Sequence, residues 1–372
     1  MHINGIFLGV VIVLACSLSK AAPDRYLDNV FTNVTVTSNI TYGSNIKANG
    51  ARQTLLLDVY QPTGDTAKAR PLVIFMFGGG WAVGKKTDGD MVLLSQTFAK
   101  KGYVAVSIDY RLDSALLSTK PWEPMVTSMY RGMQDAKAAV RFLRFHKTDY
   151  KIDDTRIFMG GCSAGAFNSL MVAFLDPKEI PTFIDTNKLG GIEGNSGTPG
   201  VSSAINGVIS NWGAVEDSTW LYNNKIPVIC FAGTADPQVP FDHSGTLFGS
   251  ACINRVLTRM GVYSVLKPFV GMGHGMGTSD PRYDTLLTMA SQFTYDVLFG
   301  DKRTSVVRSE RSVGPVSQQA LLKQAAIFNT VADDKSSSLG YGSIYTVNGK
   351  IAQRKDPSHK ARGVYIFQNS VR

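Results

Sequence analysis

The chain has 372 residues, of which 44% are hydrophobic and 18% charged, a composition that excludes a disordered or fibrous protein. Its net charge of +9 lies mostly near the end: residues 301–372 carry +7 and residues 1–300 only +2. A body so close to neutral argues against nucleic-acid binding, which needs a concentrated basic face. The length allows roughly two to three domains, although α/β folds of about 250 residues often form one.

The N-terminal region contains a short apolar run, residues 6–16, followed by small residues. The run is too short for a membrane-spanning helix of ~20 residues, and Ser19-Lys20-Ala21 resembles a cleavage site. The sequence therefore predicts a signal peptide over 1–21 and a secreted or cell-surface protein. Two alternatives stay open: an apolar N-terminal strand, and a lipoprotein signal ending at Cys16, which is compatible with a periplasmic location.

Cleavage after residue 21 leaves three cysteines, Cys162, Cys230 and Cys252. An odd number does not form a disulfide framework, and the apolar surroundings of Cys162 and Cys230 favour buried thiols. No spacing of cysteine or histidine is typical of a metal site. We therefore expect neither a metal nor another cofactor.

Eight strand-like runs occur along the chain. The first two are typical of an antiparallel pair at a sheet edge, and the other six are apolar on both faces, which favours a parallel sheet covered on both sides. The runs are 33–42, 55–60, 71–77, 104–108, 157–160, 206–210, 228–232 and 264–269.

Helical patterns separate these runs, at 88–101, 133–145, 163–175, 246–260 and 284–299. In the second pattern the apolar residues form one stripe, and Lys137, Arg141 and Arg144 lie opposite to it. The alternation of strands and helices predicts a doubly wound α/β domain with right-handed crossovers over 22–300.

Some segments depart from this alternation. Residues 112–130 and the Gly/Pro/Asn/Ser-rich residues 176–203 form either a cap over a pocket or passive surface loops. Beyond Gly300 the composition changes, and we expect a linker over 301–340 and a small β unit over 341–372 around the turn Asn348-Gly349.

Ser163 is the candidate nucleophile. It lies at the centre of Gly161-Cys162-Ser163-Ala164-Gly165, after a predicted buried strand and before a predicted helix. A sharp strand-to-helix turn lifts the hydroxyl above the sheet and leaves no room for side chains two residues away, which explains the two glycines. The alternative is a structural turn with an inert serine.

A serine needs a base, and the base needs a carboxylate to orient it. His274 lies in a glycine-rich loop after the last predicted strand, and Asp236 directly follows the strand 228–232, so both are expected at the sheet edge that carries Ser163. Asp242 is the second choice for the acid. The alternatives are a surface histidine and a helix-capping aspartate.

An oxyanion hole would complete the site. Gly78-Gly79-Gly80 follows the first central strand, and only backbone without side chains approaches a substrate closely enough. We assign the donor N–H groups to Gly79, Gly80 and Ala164.

With these motifs the chain resembles esterases and lipases of the α/β-hydrolase superfamily, near the hormone-sensitive-lipase-like carboxylesterases. The resemblance covers roughly 55–299 and includes Asp109-Tyr110-Arg111 and the residues 135–141. It implies an α/β-hydrolase fold with a mostly parallel central sheet and helices on both faces.

Three positions differ from the family pattern. Phe77 stands where the family has a histidine before the glycines, and Cys162 stands where an aspartate is more usual. The Gly-Thr-Ala-Asp motif at Asp236 is more similar to secreted carbohydrate-ester or dienelactone-type hydrolases. The residues 347–350 and 363–366 resemble C-terminal sorting domains of secreted bacterial proteins, which implies contact with secretion machinery or a cell surface.

The sequence thus predicts a secreted serine carboxylesterase that acts on short-acyl or carbohydrate-linked esters. The alternatives are a lipase or peptidase on the same fold, or a catalytically silent binding protein. The expected partner is a small or polysaccharide-linked ester, with no nucleic acid and no membrane span. Candidate pocket walls, each of which is equally compatible with the core, are Trp81, Trp122, Met125 and Trp212.

Overall fold

The structure is a computed structural model that describes residues 24–113 and 122–300. The strands are β1 (Val34–Ile46), β2 (Arg52–Pro62), β3 (Arg70–Met76), β4 (Val104–Ile108), β5 (Ile152–Cys162), β6 (Gly207–Asn211), β7 (Val228–Gly233), β8 (His243–Ser244), β9 (Leu247–Phe248) and β10 (Ser264–Phe269). The α-helices are α1 (Gly89–Lys100), α2 (Trp122–Phe145), α3 (Lys147–Tyr150), α4 (Ala164–Phe174), α5 (Thr186–Leu189), α6 (Ser250–Arg259) and α7 (Arg282–Phe299).

Eight strands form one sheet in the order β1-β2-β4-β3-β5-β6-β7-β10. The β1–β2 and β2–β4 pairs are antiparallel, and every later pair is parallel. The carboxyl ends of β3, β5, β7 and β10 therefore meet at one edge. This sheet confirms the predicted α/β class and the edge position of the first two strands.

Helices cover both faces of the sheet. The chain passes from β3 through α1 to β4 in one direction along the sheet, and from β5 through α4 to β6 in the other. Because parallel crossovers are right-handed, α1 and α4 lie on opposite faces. Helix α7 packs beside α1, and α2 packs beside α4. All residues of β3, β4, β6 and β7 are consequently buried, which explains why their sequences are mostly apolar.

Helix α2 is longer than the sequence indicates. It begins at Trp122 and not near Met133, so the second part of the predicted 112–130 excursion is helical. Pro124 hides this start in the sequence, but it stands in the first turn, where a helix does not need the missing N–H.

The basic side of α2 is not a solvent face. Lys137 and Arg141 are buried, and Glu193 in the long segment forms salt bridges with both of them. Arg141 also donates to the carbonyl oxygens of Thr198 and Ser196. A position opposite an apolar stripe was therefore misleading, because these cations bind carbonyl oxygens and a carboxylate of the segment 176–203.

The predicted helix 246–260 starts late, at Ser250, because the preceding residues form a small hairpin of β8 and β9. Gly249 precedes the helix, and a Cβ there would overlap the carbonyl oxygen of Pro240. A glycine is thus required where the hairpin meets the helix.

Several predictions fall outside the described residues: the signal peptide 1–21, the linker 301–340 and the β unit 341–372 with its sorting function. Within residues 24–113 and 122–300, no helix combines the length and apolar character that crossing a membrane requires.

Candidate active site

Ser163 occupies the turn between β5 and α4 with φ 51° and ψ −118°, a conformation that is strained for a residue with a side chain. Its flanking glycines are in tight contact with β3: a Cβ on Gly161 or on Gly165 would overlap the carbonyl oxygen of Met76. The N–H of Ser163 donates to Asn211 at 2.8 Å. This packing maintains the strained turn and raises the hydroxyl at the carboxyl edge of the sheet.

The structure brings the three predicted side chains together. His274 Nε2 lies 2.8 Å from Ser163 Oγ, and His274 Nδ1 lies 2.7 Å from Asp236 Oδ2. The Asp236 side chain is 2% exposed, and its other oxygen accepts the N–H groups of Gln238 and Val239. With the aspartate anchored in this way, the neutral imidazole carries its proton on Nδ1 and presents Nε2 to the hydroxyl as an acceptor.

The other candidates have different partners. Asp242, the second choice for the acid, is half exposed and pairs with Arg255 at 2.9 Å. His146 contacts Asp149 at 2.8 Å. Of the histidines in the described ranges, His274 alone hydrogen-bonds to Ser163.

The glycine loop after β3 lies against the nucleophile. A Cβ on Gly78 would be 3.3 Å from the Cβ of Ser163, and Gly79 and Gly80 adopt φ values of 115° and 59° that glycine tolerates. The carbonyl oxygen of Gly79 accepts the N–H groups of Ala82 and Val83, which closes the loop. Within the described part of the chain, no acceptor takes the N–H groups of Gly79, Gly80 or Ala164.

Phe77 holds this loop in place of the histidine that the family pattern suggests. Its ring stacks on Tyr110 with centroids 4.3 Å apart and planes at 15°, and the Tyr110 hydroxyl donates to the Phe77 carbonyl oxygen at 2.9 Å. Gly84 packs closely against the same ring, and a Cβ there would overlap it. The stack of Phe77 on Tyr110 therefore keeps the glycine loop ordered.

Comparison with known proteins agrees with this geometry. Residues 57–220 match the BD-FAE family. The chain is 31% identical over 137 residues to esterase LipC of Mycobacterium tuberculosis, which is 36% of this chain and 31% of LipC. It is 33% identical over 110 residues to the probable isoprenylcysteine alpha-carbonyl methylesterase ICMEL1 of Arabidopsis thaliana, 30% of this chain and 20% of that protein. The alignments thus span about a third or less of these curated relatives.

Solved structures of Thermogutta terrifontis esterase 2 have a similar fold. The esterase phosphorylated by paraoxon superimposes with a TM-score of 0.52 and 23% identity, covering 70% of this chain and 94% of that one. The form phosphonylated by cyclosarin superimposes with a TM-score of 0.51 and 23% identity, covering 68% of this chain and 93% of that one. The chain has an α/β-hydrolase fold. The predicted resemblance to esterases and lipases of this superfamily is confirmed.

The α/β-hydrolase has a pocket of about 500 Å³ around Ser163 and His274. Besides these residues and the glycine loop, its wall includes Ala82, Val83, Asp90, Trp212, Gln238 and Met276. Of the four predicted wall residues, Trp212 is part of this described lining. Trp81 instead donates from its indole N–H to Asn168 in the core at 2.9 Å.

The long segment 176–203 contributes no residue to the described wall of this pocket and instead lines a second cavity beside α2 and α4. The alternative of a cap therefore does not apply to this segment in the structure. The sequence analysis did not identify Asp90 and Gln238 as residues of this pocket. Gln238 was detectable by its position two residues after Asp236, whereas nothing in the sequence marks Asp90.

Cys162 lies next to the candidate nucleophile but is not itself suited to be a nucleophile. Burial raises the pKa of its thiol well above the usual value, and the nearby carboxylate of Asp90 acts in the same direction. Cys230 is also a free thiol, and burial raises its pKa to about 12. Both thiols are therefore protonated near neutral pH and lack the thiolate that reaction requires.

Proposed function

We propose that the chain is a serine carboxylesterase that works through an acyl-enzyme. The observation that carries this proposal is the continuous hydrogen-bond chain from Ser163 through His274 to Asp236, with distances of 2.8 and 2.7 Å. A serine hydroxyl becomes a nucleophile when an oriented base takes its proton. The relatives and structural neighbours named above are described as esterases, which supports the same chemistry.

In the first half of the reaction, Ser163 Oγ attacks the ester carbonyl carbon while His274 Nε2 takes the hydroxyl proton. Asp236 stabilises the resulting imidazolium. The carbonyl oxygen becomes an anion, and the N–H groups of Gly79, Gly80 and Ala164 are positioned to donate to it. His274 then gives its proton to the leaving alcohol, and an acyl group remains on the serine.

In the second half, water replaces the alcohol. His274 takes a proton from the water, whose oxygen attacks the acyl carbon, and the same N–H groups hold the second oxyanion. Collapse of this intermediate breaks the bond to Ser163, and the proton on His274 returns to Oγ. The acid leaves and the enzyme is restored.

We infer that the substrates carry a short acyl group or are carbohydrate-linked esters. A pocket of about 500 Å³ has room for a small ester together with part of its alcohol. Its wall combines apolar Val83 and Met276 with polar Asp90 and Gln238, which suits an alcohol that has hydroxyl groups. The motif at Asp236 supports the same preference.

We also propose that the enzyme is secreted. The support is the sequence pattern of 1–21 together with the sorting-like residues 347–350 and 363–366. On this proposal the tail directs or attaches the enzyme and does not take part in catalysis.

The test compares the full chain with its Ser163→Ala variant on p-nitrophenyl acetate. We expect kcat/KM to fall about 10⁴-fold or more, since loss of a nucleophile typically removes most of the acceleration. Ser279→Ala, the same change on an exposed serine beyond His274, is the matched control and should retain wild-type activity. Mass spectrometry after treatment with an organophosphate should place the adduct on Ser163.

A Ser163→Ala variant as active as the wild type would refute the assignment. Hydrolysis of amide substrates in preference to esters would identify a peptidase, and a preference for long-chain triglycerides would identify a lipase. A wild-type protein that hydrolyses none of these and takes no organophosphate adduct would be a silent binding protein.

A further inference from the structure

Asp90 is a carboxylate in the wall of the pocket that holds Ser163. It is the second residue of α1, which follows the glycine loop, and it is partly buried. One oxygen accepts the N–H of Met91 at 3.0 Å. The carboxylate is also near enough to Cys162, the residue before Ser163, to raise the pKa of its thiol. Asp90 and Ser163 both line the same pocket.

Two buried aspartates have a cationic partner, whereas no cationic partner of Asp90 occurs among the described residues. Asp58 pairs with Lys86 at 2.7 Å and Asp135 with Arg111 at 2.9 Å. In the described ranges, no lysine, arginine or histidine nitrogen lies within 4.0 Å of the Asp90 carboxylate. A carboxylate has about four acceptor sites, so Asp90 keeps capacity for a donor from outside the protein.

The position of Asp90 gives the pocket an asymmetry. Asp90 lies on the side of β3, because α1 continues from the loop after that strand, and Gln238 lies on the opposite side, after β7. Ala82, Val83 and Met276 in the same wall are apolar. A substrate in this pocket therefore meets an acidic side chain on the side of β3 and an amide side chain on the side of β7.

We propose that Asp90 is a specificity-determining residue that accepts a hydrogen bond from a substrate hydroxyl near the ester and disfavours substrates with an anionic group there. This inference rests on the proposed esterase function and adds to it the group that reads the substrate. A hydroxyl fits better than a quaternary ammonium group, since recognition of such cations uses several aromatic faces and the described wall has one aromatic side chain, Trp212.

The experiment uses two substrate ratios in the full-length enzyme. The first is kcat/KM for glycerol monoacetate over that for propyl acetate, which reports the hydroxyl. The second is kcat/KM for monoethyl succinate over that for ethyl butyrate, which reports the negative charge. Ratios cancel any general change in the active site, and hydrolysis of p-nitrophenyl acetate by the wild type shows separately that the esterase proposal holds.

Two variants divide the contributions. Asp90→Ala removes both the acceptor and the charge: the first ratio should fall about tenfold or more, as expected for loss of a hydrogen bond to a charged group, and the second should rise about tenfold. Asp90→Asn keeps a carbonyl acceptor, so the second ratio should rise while the first falls about threefold or less. Asp88→Asn, two residues away and outside the described pocket wall, is the control for charge alone and should change neither ratio.

The proposal is overturned if both ratios stay within twofold of wild type in Asp90→Ala. It is also overturned if Asp90→Ala selectively loses activity on acetylcholine while the glycerol ratio is unchanged, because the carboxylate would then select a cation. A wild type without activity on p-nitrophenyl acetate would instead refute the esterase proposal on which this one depends.

Discussion

Two cavities in the described part of the chain differ in how their polar groups are used. The larger one, about 850 Å³ between α2, α4 and the segment 176–203, contains Lys137 and Arg141, but Glu193 pairs with both. The smaller one, about 500 Å³, holds Ser163 beside backbone N–H groups that no described residue accepts. The candidate active site is therefore distinguished by its unused hydrogen-bonding groups and not by its volume.

The difference has a physical cause. A buried charge is stable only when it is paired and hydrogen-bonded, and the cations of α2 achieve this by binding carbonyl oxygens and a carboxylate of a segment that has little regular structure. In the smaller pocket the strain of Ser163 and the free N–H groups are costs to folding that only substrate chemistry explains. The charges of the larger cavity therefore serve stability, and the smaller pocket is the candidate active site.

The largest expected effect tests the smaller pocket. In Asp236→Asn the imidazole loses the carboxylate that fixes its tautomer, and kcat/KM for p-nitrophenyl acetate should fall about 10⁴-fold. Asp242→Asn is the matched control, because Asp242 is half exposed and pairs with Arg255, and its activity should stay within twofold of wild type. Equal losses in the two variants would contradict the assignment of the acid.

The second prediction tests the larger cavity. Arg141→Ala leaves several carbonyl oxygens and part of the Glu193 carboxylate without a donor, so the free energy of unfolding should fall by about 3 kcal/mol. Urea unfolding measures the loss, and kcat/KM of the folded variant should match wild type. The control is Arg255→Ala, which breaks an exposed ion pair and should cost about 1 kcal/mol or less.

One other outcome would show that the larger cavity also contributes to substrate binding. If folded Arg141→Ala lost tenfold or more in kcat/KM while its KM for a larger ester rose, the segment 176–203 would take part in substrate binding. The stability difference between the two arginine variants separates that outcome from a simple folding defect.

Much of the fold was predictable because local and global signals agree. The strands β3, β4, β6 and β7 are buried on both faces, and their apolar runs show it. The side chains of Ser163, Asp236 and His274 each follow a strand, and parallel strands bring their carboxyl ends to one edge, so their proximity followed from chain order. Glycines beside the serine were predictable from the steric demands of the turn.

The remainder depends on contacts between distant parts of the chain. The start of α2 at Trp122 was hidden by Pro124, and the burial of Lys137 depends on a segment more than fifty residues away, at Glu193. The stack of Phe77 on Tyr110 replaces a motif residue by packing that no local pattern encodes. Asp90 belongs to the same class, since only the folded chain brings it beside Cys162.

Glu216 follows β6 and lies outside the described walls of both cavities, although one oxygen of its carboxyl group is buried. Among the described residues no group hydrogen-bonds to its Oε1, and burial raises the pKa of its carboxyl from 4.5 to about 7. Between these two values the folded state binds more protons than the unfolded state, so stability decreases as pH rises from about 4.5 to 7 and then levels off.

If Glu216 is only a cost to folding, Glu216→Gln should remove that decrease. Urea unfolding at pH 4.5, 6 and 8 should show a variant that is more stable than wild type by about 3 kcal/mol at pH 8 and similar to it at pH 4.5, because one pKa unit corresponds to ~1.4 kcal/mol. Hydrolysis of p-nitrophenyl acetate should not change. If the stabilities of wild type and variant changed with pH in the same way, Glu216 would be solvated or paired in solution. If the variant lost activity, Glu216 would contribute to the pocket that Trp212 lines.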